Sequence, residues 1–170
     1  MKKIAIYPGT FDPITFGHID LIIKGLKVVD KMVVAISNSF NKEQLFSIEE
    51  RASIVKKALY NDLKISKKNV EIISFNSLTT ILCKKYKASL ILRGLRVVSD
   101  FEYEFQLAGM NKKLNRTIET IFLMSNIENQ IISSKFVKEI AQLGGDISKF
   151  TTKSTIKALK EKLRWISYFI

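Results

Sequence analysis

The chain has 170 residues, 46% apolar and 26% charged, which suits one globular domain with a substantial core and excludes disorder over most of its length. Its formal charge of +12 points to an anionic partner: nucleic acid, a membrane surface or a phosphorylated small molecule. A single cysteine, Cys83, and a single histidine, His18, exclude an internal disulfide framework and a multi-Cys or multi-His metal cluster.

Short apolar runs alternate with amphipathic stretches along the chain. Residues 3–8 read as a strand. Residues 17–29 read as a helix with Ile19, Ile22, Ile23 and Leu26 on one face, and residues 32–37 as a second strand. Ser47-Ile48-Glu49-Glu50 has the pattern of a capping box and opens a helix to about residue 60. Strands follow at 70–75 and 89–92, with a helix at 78–86 between them; Cys83 in that helix reads as a small buried hydrophobe. Ser99-Asp100-Phe101-Glu102 is a second capping pattern, for a helix running to about residue 113. After a fifth strand at 119–124, a helix from about Ser134 ends at Gly144-Gly145. A last helix, 155–166, leads into an apolar tail, 165–170.

This alternation predicts a Rossmann-like α/β fold. The expected architecture is an open five-stranded parallel sheet with helices on both faces and a C-terminal helix, in one domain spanning 1–170. Ligands in such sheets bind beyond the carboxyl ends of the strands. No apolar run is long enough to span a membrane, and Tyr7-Pro8-Gly9 interrupts the N-terminal apolar stretch too early for a signal peptide, so a cytoplasmic location is expected.

The loop after the first strand concentrates the rare residues. Both prolines, Pro8 and Pro13, lie there with His18, Gly9 and Gly17. Prolines stiffen the backbone, glycines admit close approach of a ligand, and Gly17-His18 stands at a helix start, where free N–H groups attract an anion. A capping role for Thr15 or His18 is the alternative. The Gly-x-Gly-x-x-Gly and P-loop patterns are absent, which argues against a dehydrogenase and a P-loop kinase.

Lys42, after the second strand, is placed where a cation could reach a phosphate over the first loop, with a solvated surface lysine as the strong alternative. The 28 basic residues include only five arginines, two of which, Arg93 and Arg96, bracket Gly94 after the fourth strand as a candidate anion clamp. The other 23 are lysines, read mainly as solvated surface charge. Asp100 and Glu104 share a helix face. Ser133-Ser134 opens a helix, where serine caps or binds phosphate.

Gly9-Thr10-Phe11-Asp12-Pro13-Ile14-Thr15-x-Gly17-His18, Arg93-Gly94-Leu95-Arg96, Asp100-Phe101-Glu102-Tyr103-Glu104 and Ile132-Ser133-Ser134 together resemble the bacterial phosphopantetheine adenylyltransferase family, from residue 4 to about 150. The Thr-x-Gly-His element is shared with the wider nucleotidyltransferase superfamily. The resemblance implies that ATP and 4′-phosphopantetheine give dephospho-coenzyme A and pyrophosphate by direct in-line attack, the penultimate step of coenzyme A synthesis. It also implies Mg2+ carried on ATP, with no protein metal site, and a homohexamer.

By resemblance, His18, Lys42 and Thr10 are catalytic, His18 by donating to the α-phosphate. Thr10, Lys42, Thr79 and Arg93 contact the acceptor. Thr10, Phe11, His18, Gly94, Leu95, Arg96, Glu104, Asn129, Gln130, Ile131, Ile132, Ser133, Ser134 and Lys135 contact ATP. Lys135 replaces a serine and Ser125 lies near a position where the family has proline. A sibling nucleotidyltransferase is one rival reading. A nucleic-acid-binding module is another, and the lack of an aromatic and basic stripe argues against it, so no specific nucleic acid is expected.

Overall fold

Five parallel strands lie in the order β3-β2-β1-β4-β5. In chain order the elements are β1 (Ile4–Gly9), α1 (Phe16–Gly25), β2 (Lys31–Ser37), α2 (Ile48–Lys56), β3 (Val70–Phe75), α3 (Thr79–Tyr86), β4 (Leu90–Leu95), α4 (Val98–Leu114), β5 (Glu119–Met124), α5 (Ile127–Gln130), α6 (Ser134–Gln142) and α7 (Lys153–Ser167). The computed structural model describes residues 2–38, 43–96 and 98–167. Lys42 and the last residues of the expected tail, 168–170, lie outside the described residues.

The central strands β1 and β2 are buried along nearly their whole length, as strands covered on both faces must be. On one face Ala5, Tyr7, Met32, Val34 and Ile36 pack with Ile22 of α1, Val55 of α2 and Leu159 of α7. On the other, Ile6, Val33, Ala35 and Ile91 pack with Leu82 and Cys83 of α3. Burial pushes the Cys83 thiol up to about 11, which suits a hydrophobe rather than a nucleophile.

The five-stranded parallel sheet with helices on both faces is the expected architecture. Local boundaries differ. α1 stops at Gly25 rather than 29, because Val28 and Val29 turn back toward β2 with N–H bonds to the Gly25 carbonyl. The Ser47 box forms as read: Ser47 N–H donates to Glu50 Oε2 (2.7 Å) and Glu50 N–H to Ser47 Oγ (3.2 Å). Its helix then widens into a π-helical segment over Lys57–Asp62. β4 runs to Leu95, so Arg93, Gly94 and Leu95 belong to the strand. α4 starts at Val98, which puts Ser99 inside its first turn rather than before it. The Gly144 stop holds, with a left-handed φ of 78° just past α6.

The strand order reverses direction around β1, whose neighbours are β2 and β4. The loops after β1 and β4 therefore meet at the switch point of the sheet, where ligand sites of open α/β sheets form.

Candidate active site

Five consecutive residues after β1, Phe11 to Thr15, are buried. Phe11 takes a left-handed backbone, φ 49°, and its ring folds back over Gly9. A Cβ on Gly9 would stand 2.9 Å from that ring, and one on Gly17 would stand 3.2 Å from the Asn129 carbonyl oxygen. The close approach expected of a ligand at these glycines is thus made first by the chain itself. The Phe11 ring meets Tyr7 edge-on, centroids 5.4 Å apart, and lies 5.0 Å from the His18 imidazole. The Phe11 side chain therefore shapes the site from within.

Thr15 is the N-cap of α1, and His18 stands three residues on. The His18 Nδ1 accepts the Thr15 backbone N–H at 3.1 Å and lies 2.9 Å from the Thr15 hydroxyl. A ring nitrogen that accepts carries no proton, so the proton sits on Nε2 and points away from the cap. Burial, with Arg96 adding to it, lowers the His18 pKa to about 4. His18 is thus a neutral imidazole of defined tautomer with one N–H to give. The capping role and the site role are two ends of one ring.

Two side chains with no role in the sequence reading fix this loop. Asp12 is buried, and its carboxylate accepts Leu45 N–H and Phe46 N–H (both 3.0 Å) and the Lys138 ammonium (2.7 Å). Arg51 is fully buried in α2 and donates to the Thr10 carbonyl at 2.7 Å. From the far end of the chain, the Thr151 hydroxyl donates to the Ile14 carbonyl (2.6 Å), and Phe16 N–H donates to the Phe150 carbonyl (2.9 Å).

At the end of β4, Arg93 and Glu104 bind one another. Nε donates to Oε2 at 2.6 Å, Nη2 donates to Oε1, and Nη1 reaches the Pro8 carbonyl at 3.1 Å. The sequence reading put these two residues on different substrates; the fold joins them in a bidentate pair that braces β4 against the first loop. Arg96 is exposed and pairs with Asp100 at 3.2 Å. Gly94 faces α1, where a Cβ would strike Leu21.

Beyond β5, the stretch expected to hold ATP is sewn to α1 and the first loop. Asn126 N–H donates to Asp20 Oδ2 (2.6 Å), Lys24 to the Met124 carbonyl (2.7 Å) and Ser134 Oγ to the Pro13 carbonyl (2.7 Å). Gln130 donates to the Ser125 carbonyl (3.1 Å), and Ile132 is in the core. Ser133 caps α6 by accepting Phe136 N–H (3.2 Å). The Lys135 side chain is 80% exposed and 3.9 Å from Glu139.

Thr79, at the start of α3, follows the opposite edge strand, β3. A cavity of about 310 Å³ at this edge is lined by Ser74, Phe75, Ser77, Ile81 and Tyr86, with Thr79 outside its lining. β3 and β5 are four strand spacings apart, roughly 19 Å. Thr79 and the 129–135 stretch thus flank His18 and Thr10 from opposite sides. Among the described residues no group of three His, Cys, Asp or Glu side chains could hold a metal ion.

The cytidylyltransferase-like family model matches residues 6–140. The chain is 71% identical to a phosphopantetheine adenylyltransferase of Pelagibacter ubique, over 95% of this chain and 99% of that one. It is 52% identical to a phosphopantetheine adenylyltransferase of Wolbachia pipientis, over 90% and 89% of the two chains. Among solved structures, a nicotinic acid mononucleotide adenylyltransferase of Plasmodium falciparum superposes with a TM-score of 0.67 at 19% identity, over 95% of this chain and 96% of that one, a likeness of fold. With the Thr15–His18 helix start, the β4 arginines and the β5 turn gathered at one end of a parallel sheet, these matches establish that the chain belongs to the phosphopantetheine adenylyltransferase family of cytidylyltransferase-like nucleotidyltransferases.

Proposed function

We propose that the chain transfers the adenylyl group of ATP to 4′-phosphopantetheine, giving dephospho-coenzyme A and pyrophosphate, the penultimate step of coenzyme A synthesis. The observation that carries this reading is the His18 ring: its Nδ1 is held by Thr15, and its neutral Nε2–H, at the start of a helix, has no partner among the described residues. Thr79 and the 129–135 stretch on opposite sides of that donor suit two substrates that meet over the first loop.

A phosphate oxygen of the acceptor attacks the α-phosphorus in line, the bond from that phosphorus to the bridging oxygen breaks, and pyrophosphate leaves. The acceptor phosphate is already ionised, so no general base is required. His18 Nε2–H donates to the α-phosphate oxygen as charge builds, Thr10 and Lys42 hold the attacking phosphate, and Arg93 and Thr79 lie on the acceptor side. Phe11, Gly94, Leu95, Arg96, Glu104 and residues 129–135 form the ATP side. A fixed donor aimed at developing charge does not have to reorganise during the step.

Magnesium would come bound to ATP and would supply neutralisation of triphosphate charge. The two carboxylates nearest His18 in sequence are already engaged, Asp20 by Asn126 N–H and Lys24 and Asp12 by two backbone N–H groups and Lys138, so the triphosphate oxygens would supply the ligands. The chain works as one domain in a homohexamer in the cytoplasm; exposed Phe101, Tyr103 and Phe105 on α4 support assembly, and no helix among the described residues is long and apolar enough to cross a membrane.

Pyrophosphate release measured against a panel of acceptors tests the function. Turnover of 4′-phosphopantetheine is expected; turnover of nicotinate mononucleotide in its place would overturn the reading.

A further inference from the structure

Arg51 takes no part in the reaction as drawn, yet its side chain is wholly buried under the first loop. Its guanidinium has five N–H donors, and each has a partner. Nε donates to the Phe46 carbonyl (3.2 Å), Nη1 to the Thr10 and Ser37 carbonyls (2.7 and 2.8 Å), and Nη2 to Asn38 Oδ1 (3.3 Å) and Gln44 Oε1 (2.7 Å). One side chain from α2 thus ties the residue after β1 to the end of β2 and to the start of the segment returning to α2.

All five acceptors are neutral. Among the described residues no carboxylate lies within ion-pair distance of Arg51, and Asp12, whose field favours the charged guanidinium, is already paired with Lys138. Burial lowers the Arg51 pKa, but an arginine remains protonated. The result is a buried positive charge lying directly behind the backbone of Thr10. Packing alone does not call for such a group, because an apolar side chain of similar volume avoids the desolvation penalty.

We propose that Arg51 is a positioning residue for the acceptor's phosphate: it fixes the Thr10 backbone against the end of β2 and supplies positive charge from beneath, where no solvent screens it. This rests on the reading of Thr10 as a phosphate-holding residue. Arg51 acts through Thr10 and touches no substrate. Its influence falls mainly on the acceptor, because apart from the first loop the ATP side is built from β4, α4 and residues 129–135, none of which Arg51 touches.

Steady-state kinetics of Arg51→Lys, Arg51→Met and Gln44→Ala test this, with each fold checked by thermal melting. Arg51→Lys keeps the charge but has three donors for five acceptors. Its acceptor KM is expected to rise about 10-fold with the ATP KM within about threefold of wild type, and Arg51→Met, which loses the charge, is expected to show about 100-fold on the same side only. Gln44→Ala removes one half-buried acceptor and leaves Arg51 in place. It keeps the test open if the Arg51 variants do not fold, and is expected to raise the acceptor KM about threefold. Equal rises in both KM values, or unchanged acceptor KM in folded variants, would overturn the proposal. The split is measured with whichever phosphorylated acceptor the wild-type enzyme uses, so a wrong acceptor assignment shows in the wild type and a wrong role for Arg51 shows in the variants.

Discussion

From Phe11 to Thr15 every side chain is buried, and the backbone around them is held by Arg51, Phe150 and Thr151. Across the first turn of α1, Ile127 and Ile131 are 83% and 77% exposed, and the β5 turn is held mainly by single bonds to α1 and Pro13. The first region fixes polar atoms before any ligand arrives, which is what stabilising a developing charge requires. The second offers exposed apolar surface and helix starts, which suit holding a nucleotide without setting the chemistry. On the proposed reading, catalysis falls to the buried, multiply bonded region and nucleotide grip to the more exposed one.

The largest expected effect belongs to the buried region. His18→Ala is expected to lower turnover by about 10²–10³ while the protein remains folded, since a single oxyanion donor contributes on that order. Near-native kcat in a folded variant would remove His18 from the mechanism and break the contrast. Asp12→Ala is expected to destabilise by about 3 kcal/mol in urea unfolding, because it strands Lys138 and two backbone N–H groups. An unmoved midpoint would show that the first loop does not depend on this clamp.

His18 is the only histidine, so its titration by NMR is free of overlap. The ligand-free ring is expected to titrate near pH 4, with the proton of the neutral form on Nε2. The sign follows from linkage: the unfolded chain binds the proton first, so His18 makes the fold less stable as pH falls from about 6.5 to about 4. A midpoint near 6.5 would place the ring in solvent.

Smaller effects are expected beyond β5. Ser133→Ala loses the α6 cap and is expected to cost about 1 kcal/mol in thermal or urea unfolding. Lys135→Ala is expected to change stability by less than about 0.5 kcal/mol, given its exposure. A large loss at either position would mean that the turn is as tightly determined as the first loop.

The sheet was legible because apolar runs and helical spacing alternate without a break, and the first loop because both prolines, the sole histidine and two glycines fall within eleven residues. Arg51 was not legible: its partners lie between residues 10 and 46, and four of the five bonds come from two atoms whose geometry no spacing encodes. Nor was the Arg93–Glu104 pair, since a strand and the second turn of the following helix had to be placed before their separation was known. α5 is four residues long, too short for a periodic signal. Positions 28 and 29 continued the apolar pattern of α1 because Val29 is a core residue reached from a turn.

The bonds from Thr151 to Ile14 and from Phe16 to Phe150 have a consequence for synthesis. β1 and the first turn of α1 precede residue 20, yet the backbone between them gains two of its partners only after residue 151 has emerged. A nascent chain can pair β1 with β2 long before the loop that presents His18 is closed. The loop around His18 is therefore closed only after all five strands have emerged, and a chain cut short before residue 150 would have those strands without the clasp.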